Sequence, residues 1–124
     1  MFTPTNAYSG FSVADIPAAK KFYSDVLGLA VDENSMGFLT LRLESGATVL
    51  VYGKKNHLPA SFTVLNFEVD DVEKAVDDLR ERGVIFKRYD AIQQDAKGIM
   101  HGHGPDIAWF TDPSGNVMSV LSGQ

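Results

Sequence analysis

Hydrophobic and polar residues alternate strictly along several short stretches of this chain, and recur at helical spacing along two longer ones. In "GFLTLRLES", Leu39, Leu41 and Leu43 point one way while Phe38, Thr40 and Arg42 point the other. In "ATVLVYG", Val49 and Val51 oppose Thr48, Leu50 and Tyr52, and in "TVLNFEVDD", Leu65, Phe67 and Val69 oppose Val64, Asn66 and Glu68. These stretches predict strands. "VADIPAAKKFYSDVLG" predicts a helix: Ile16, Ala19, Phe22, Tyr23, Val26 and Leu27 form one face, with Asp15 as N-cap, Pro17 in the first turn and Gly28 as the stop. "VDDVEKAVDDLRERG" repeats the device, with Asp71 capping, Val72, Ala75, Val76 and Leu79 as the stripe, and Gly83 ending it.

The two halves match. Asp15 corresponds to Asp71, and the hairpin "LESGATVLVYG" corresponds to "TDPSGNVMSVL", Ser45-Gly46 matching Ser114-Gly115. The second spacing is longer by about thirteen residues, which fall in the polar, glycine-rich "DAIQQDAKGIMHGHGP" and predict a long loop. Each copy then reads strand, helix, three strands. The fully apolar set of each sheet should pack on the helices. The opposite set is mixed: Tyr8, Gly10, Ser12, Phe38, Arg42 and Tyr52 in the first copy, and Asn66, Glu68, Ile107, Trp109, Thr111, Val117, Ser119 and Leu121 in the second. A face carrying aromatic, amide and charged residues together suits the lining of a cup, or else an oligomer interface.

Composition narrows the partners. The chain has 124 residues, 44% of them hydrophobic and 22% charged, which is one soluble domain's worth. Its net charge of −5, with basic residues scattered, argues against nucleic acid as a partner. No apolar run approaches the roughly 18 residues that span a bilayer. The opening "MFTPTNAYSG" lacks the basic start and apolar segment of a secretion signal, so a cytoplasmic location is expected. With no cysteine, neither a disulfide framework nor thiolate chemistry is available.

The tandem βαβββ order, the opening "FSVADIPAAKKFYSDVLGL" and the closing "WFTDPSGNVMSVL" together resemble the vicinal oxygen chelate superfamily, the group of glyoxalases, bleomycin-resistance proteins and extradiol dioxygenases. The resemblance covers essentially the whole chain. It implies an α+β fold in which the two βαβββ modules form a cup-shaped mixed sheet. Residues 1–124 would make a single domain, with module one at about 5–53, a linker at 54–61 and module two at about 62–122. It also implies a homodimer with two equivalent sites, the modules pairing within or between chains. The superfamily's metal enzymes place ligands on the first and last strands of each module. Carried over by position, these fall at Tyr8, Leu50, Val64 and Ser119. Val and Leu have no donor atom, and Tyr and Ser are poor ligands at neutral pH. No metal and no cofactor is therefore expected at that site, with a divalent metal elsewhere as the alternative.

The leading expectation is metal-independent binding of a small aromatic or amphipathic molecule, lined by Tyr8, Phe38, Arg42, Tyr52, Asn66, Glu68, Trp109 and Ser119. The 90–106 loop, with His101 and His103, would act as a rim or lid. Whether the protein is an enzyme is open at this point. The alternative is a glyoxalase- or dioxygenase-like enzyme, with a displaced metal around His101 and His103 (Asp95 or Asp106 supplying a third ligand) or with Glu68 as its base. Arg42 could pair with a ligand carboxylate or phosphate, or brace two strands as an ion pair. His57, between the modules, reads as a surface residue, and the charged residues at 20–21 and 80–82 as solvated helix faces.

Overall fold

Two aspartates start the two helices in the same way. Asp15 is extended (φ −144°) and its Oδ1 accepts the Ala18 N–H at 3.0 Å, and Asp71 (φ −135°) does the same for the Lys74 N–H at 3.1 Å. The computed structural model describes residues 1–123. The chain divides into two compact units, Met1–His57 and a second that begins at Leu58. It is an α+β protein with two helices, each accompanied by a mixed sheet.

The first unit runs β1 (Ser9–Val13), α1 (Ile16–Lys21), β2 (Ala30–Glu33), β3 (Leu39–Arg42) and β4 (Thr48–Gly53), with sheet order β1-β4-β3-β2. β1 pairs with β4 in parallel, and the β4-β3-β2 pairs are antiparallel. Phe11, Val13, Leu39, Leu41, Val49 and Val51 are buried, as their alternation predicts. The helix does not run on to Gly28 as one α-helix. From Phe22 to Val26 it widens into a π-helical turn, in which the Leu27 N–H bonds the Phe22 carbonyl at 3.0 Å. Ser24 Oγ donates to the Lys20 carbonyl at 2.7 Å, taking an acceptor that the α-helical ladder would otherwise use. The turn seats Tyr23, fully buried, against Phe11 of β1 with ring centroids 6.1 Å apart.

The second unit runs β5 (Thr63–Val69), α2 (Val72–Glu81), β6 (Ile107–Thr111) and β7 (Val117–Ser122), in sheet order β5-β7-β6. β5 and β7 are parallel, β6 and β7 antiparallel. The expected strand after the helix is reduced to one bridge, Phe86 to Phe110. The cause is Gln94: its amide accepts the Tyr89 N–H at 2.8 Å and donates to the Lys87 carbonyl at 3.0 Å, capturing backbone groups that a strand would spend on a neighbour. Phe86 still contributes to the core, edge-on to Phe110 at 5.6 Å, while Phe67 stacks on Phe110 at 6.5 Å. Among the described residues no helix is long and apolar enough to cross a membrane.

The two hairpin turns carry glycine at positive φ, Gly46 at 96° and Gly115 at 84°, where any side chain would strain the backbone. The second is more heavily tied. Asp112, 4% exposed, accepts the Ser114 and Asn116 N–H groups at 2.9 Å each through Oδ1, and the Asn116 amide at 3.0 Å through Oδ2.

Candidate functional site

The face opposite the buried set is mixed in each unit. In the first, Ser12 lies beside Tyr52 across the β1-β4 pair, and Phe38 meets Tyr52 with ring centroids 6.4 Å apart at 64°. Asn34 positions Phe38 by accepting both the Met36 and Phe38 N–H groups through Oδ1, at 2.9 and 3.0 Å. Tyr8 stands exposed just ahead of β1. Of the two expectations for Arg42, a ligand contact or an ion pair between strands, the pair is present. Arg42 Nε pairs with Asp32 of the adjoining edge strand, both side chains being more than half exposed, so the guanidinium braces β3 to β2. His57 departs from the surface position expected of it: it is half-buried, and its Nδ1 lies 2.7 Å from Ser12 Oγ.

In the second unit one row crosses all three strands: Asn66 on β5, Ser119 on β7, Trp109 on β6. Ser119 is fully buried and donates its hydroxyl to Asn66 Oδ1 at 2.5 Å. That bond fixes the amide and leaves the Asn66 NH2 with no acceptor among the described residues. Trp109 is held from two sides. Its indole N–H donates to Thr63 Oγ1 at 3.1 Å, and Tyr89 meets it edge-on at 5.5 Å and 89°. Glu68 lies exposed in the next row, with Leu121 and Ile107. Thr63 and Tyr89 escaped the sequence reading. A register shift between Thr63 and Leu65 leaves Val64 without a partner in β7 and aligns Thr63 with Val117. The alternation that assigned Val64 to this face fails at that bulge, and Thr63 stands there instead.

The segment between Arg88 and Ile107 has little regular structure but is closely tied. Beyond Tyr89 and Lys87, Gln94 donates to the Gly98 carbonyl at 2.7 Å. Asp95 Oδ1 accepts the Lys97 and Ile99 N–H groups at 2.9 Å each, and its carbonyl receives Arg88 Nη1 and Nη2 at 2.9 and 2.6 Å. Lys97 Nζ reaches Glu73 and Asp77 of α2, each at 2.9 Å. A bridge between Met100 and Ile107 closes a small hairpin whose tip holds His103. His101 spans its base, Nε2 at 2.8 Å from Asp95 Oδ2 and Nδ1 at 3.0 Å from Asp106 Oδ1. Hydrogen bonds to Asp95 and then Asp106 hold the imidazole above its ordinary pKa. Burial pulls the Asp95 carboxyl up, but the bonds from His101, Ile99 and Lys97 outweigh it and leave it below its usual value. Burial also raises the Tyr89 hydroxyl.

The model of the Glyoxalase/Bleomycin resistance protein/Dioxygenase superfamily matches residues 7–120. The chain belongs to that superfamily. The uncharacterized protein YraH of Bacillus subtilis (strain 168) is 32% identical, over 87% of this chain and 90% of its own. Among solved structures, TnmS3, an antibiotic binding protein from Streptomyces sp. CB03234, superposes with a TM-score of 0.73 at 23% identity, covering 99% of this chain and 100% of its own. A glyoxalase/bleomycin resistance protein from the same Streptomyces gives 0.67 at 24%, covering 94% and 100%. These two likenesses are of fold.

At the superfamily's ligand positions the structure places Tyr8, exposed ahead of β1, Leu50 in β4, Val64 at the bulge and Ser119, whose hydroxyl is engaged with Asn66. His101 uses both ring nitrogens on carboxylates that lie in different directions from the ring. Among the described residues no group of three or more His, Asp or Glu side chains is placed to hold a metal ion.

Proposed function

We propose that this protein binds a small, planar or amphipathic molecule without the help of a metal, on the mixed face that includes Asn66, Trp109 and Ser119. The observation that carries the reading is the Ser119–Asn66 bond. At a position where metal-dependent relatives would hold a ligand residue, a buried hydroxyl instead fixes a carboxamide, and two N–H donors are left for a ligand acceptor. Trp109, held by Thr63 and Tyr89, offers a rigid flat surface beside them. A fold neighbour described as an antibiotic binding protein supports a small-molecule ligand. Phe38 and Tyr52, with Tyr8 ahead of β1, make a separate aromatic face on the first unit. Glu68, on the Trp109 face, disfavours anionic ligands there. The working form is a cytoplasmic homodimer, for which the exposed Leu58, Phe62 and Ile85 supply apolar contact area.

Native mass spectrometry of untagged protein purified without chelators tests this first. A metal-free dimer, alone or with a small organic adduct, is the expected result, and one divalent metal per chain would overturn it. Bleomycin titrated against Trp109 emission then probes the face. If it binds, Asn66→Ala and Trp109→Ala should each weaken affinity about tenfold. Arg42→Ala, committed to Asp32, should leave it unchanged.

A further inference from the structure

At His101, in the second unit, a single proton decides whether two loop segments stay joined. Both ring nitrogens lie within hydrogen-bonding distance of carboxylate oxygens, Asp95 at 2.8 Å and Asp106 at 3.0 Å. A neutral imidazole has one N–H, so only the imidazolium can donate at both ends. Removing the proton leaves one carboxylate facing a ring lone pair, and that arm must open.

The clamp continues to the binding face through named contacts. Asp95 organises the turn by accepting the Lys97 and Ile99 N–H groups on its carboxylate and Arg88 on its carbonyl. Gln94, its neighbour, holds the Tyr89 N–H, and the Tyr89 ring abuts Trp109. We propose that a proton on His101 locks the Tyr89 wall against Trp109, and that its loss loosens that wall and the ligand face beside it. This regulation rests on the binding reading given above.

The surrounding charges leave His101 as the responsive group. Lys97, between Asp77 and Glu73 of α2, is held above its ordinary value and stays charged; Arg88 is spent on the Asp95 carbonyl, and the Lys87 ammonium sits 5.6 Å from the Tyr89 ring centroid. His103, at the hairpin tip, faces neither clamp carboxylate. Because the His101 value is raised, its stabilising contribution is complete below the ordinary histidine value of 6.5 and is lost as pH rises through the raised one. Because the Asp95 value is lowered, its contribution is present above the ordinary carboxylate value and is lost as pH falls through the lowered one. The lock therefore holds in the mildly acidic range and opens as pH rises through the raised histidine value.

Trp109 is the sole tryptophan, so its emission reports on the wall with no ligand present. The intact protein is titrated from about pH 5.5 to 9, spanning the histidine range and stopping short of tyrosine ionisation. Wild type should show one transition, centred above the ordinary histidine value and moved down by 1 M NaCl, which screens an exposed clamp. His101→Gln should show the high-pH emission throughout. Asp106→Asn, which removes one arm only, should move the midpoint down, and His103→Gln should behave as wild type. A wild-type titration with no transition, or one that persists in His101→Gln, overturns the proposal. Circular dichroism confirms that each variant is folded, and should a variant unfold, the salt shift of the wild-type midpoint decides. If no ligand is ever found, the transition still stands or falls on its own.

Discussion

After its helix, the first unit continues into β2, which pairs with β3 residue by residue from Ala30–Arg42 to Glu33–Leu39. At the same place the second unit has a single bridge at Phe86 and then a segment tied by side chains, Gln94 and Asp95 above all. The hairpins differ in the same sense. The first turn closes with the Leu43–Ala47 and Gly46–Leu43 backbone bonds, aided by a long 3.3 Å contact from the Ala47 N–H to Ser45 Oγ. The second makes the equivalent Asp112–Asn116 and Gly115–Asp112 backbone bonds and adds a buried carboxylate with three donors. Two copies of one topology thus differ in how far side chains supplement or replace the backbone bonds. The copy that relies on side chains is also the one that carries the fixed amide and the tryptophan.

The sharpest way to break this contrast is at the turns. Asp112→Ala strands buried donors and should cost about 3 kcal/mol, lowering the thermal midpoint by about 10 °C, whereas Ser45→Ala should change stability by less than about 0.5 kcal/mol. Calorimetry of the two variants checks the difference, and equal effects would show that the extra bonds are redundant. Next comes Gln94→Ala. It removes three hydrogen bonds and should cost about 2 kcal/mol in denaturant titrations, with a changed Trp109 emission because Tyr89 loses its anchor. Smallest, and a control on the comparison, are the helix caps. Asp15→Ala and Asp71→Ala use the same geometry and should each cost about 1 kcal/mol. A large inequality between them would mean that the two units do not unfold together.

Where structure follows from local chemistry, the chain was readable. The caps at Asp15 and Asp71, the glycine stops at Gly28 and Gly83, and the buried Leu39, Leu41, Val49 and Val51 all come from periods of 2 and 3.6 that any short window contains. What could not be read depends on particular side chains reaching particular backbone groups. Nothing in "TVLNFEV" marks Val64 as the residue left out of register, so Thr63 was overlooked. Nothing in "VIFKRYD" says that Gln94 will take two of its backbone groups and abolish a strand. The π-helical turn answers to Ser24 reaching back to Lys20. The candidate site is legible to the same degree: Asn66, Trp109 and Ser119 share a face by alternation alone, but the direction of the Ser119 hydroxyl and the presence of Tyr89 come only from three dimensions.

A backbone ladder is indifferent to which residues compose it, so β2 can drift in sequence and still pair. The Gln94 amide has no such tolerance. A single codon change removes a connection that, in the other copy, no point substitution short of proline can erase. The segment beside Trp109 is therefore both the easiest part of this chain to disable and the easiest to remodel. Variation among descendants of the duplicated unit should gather there first.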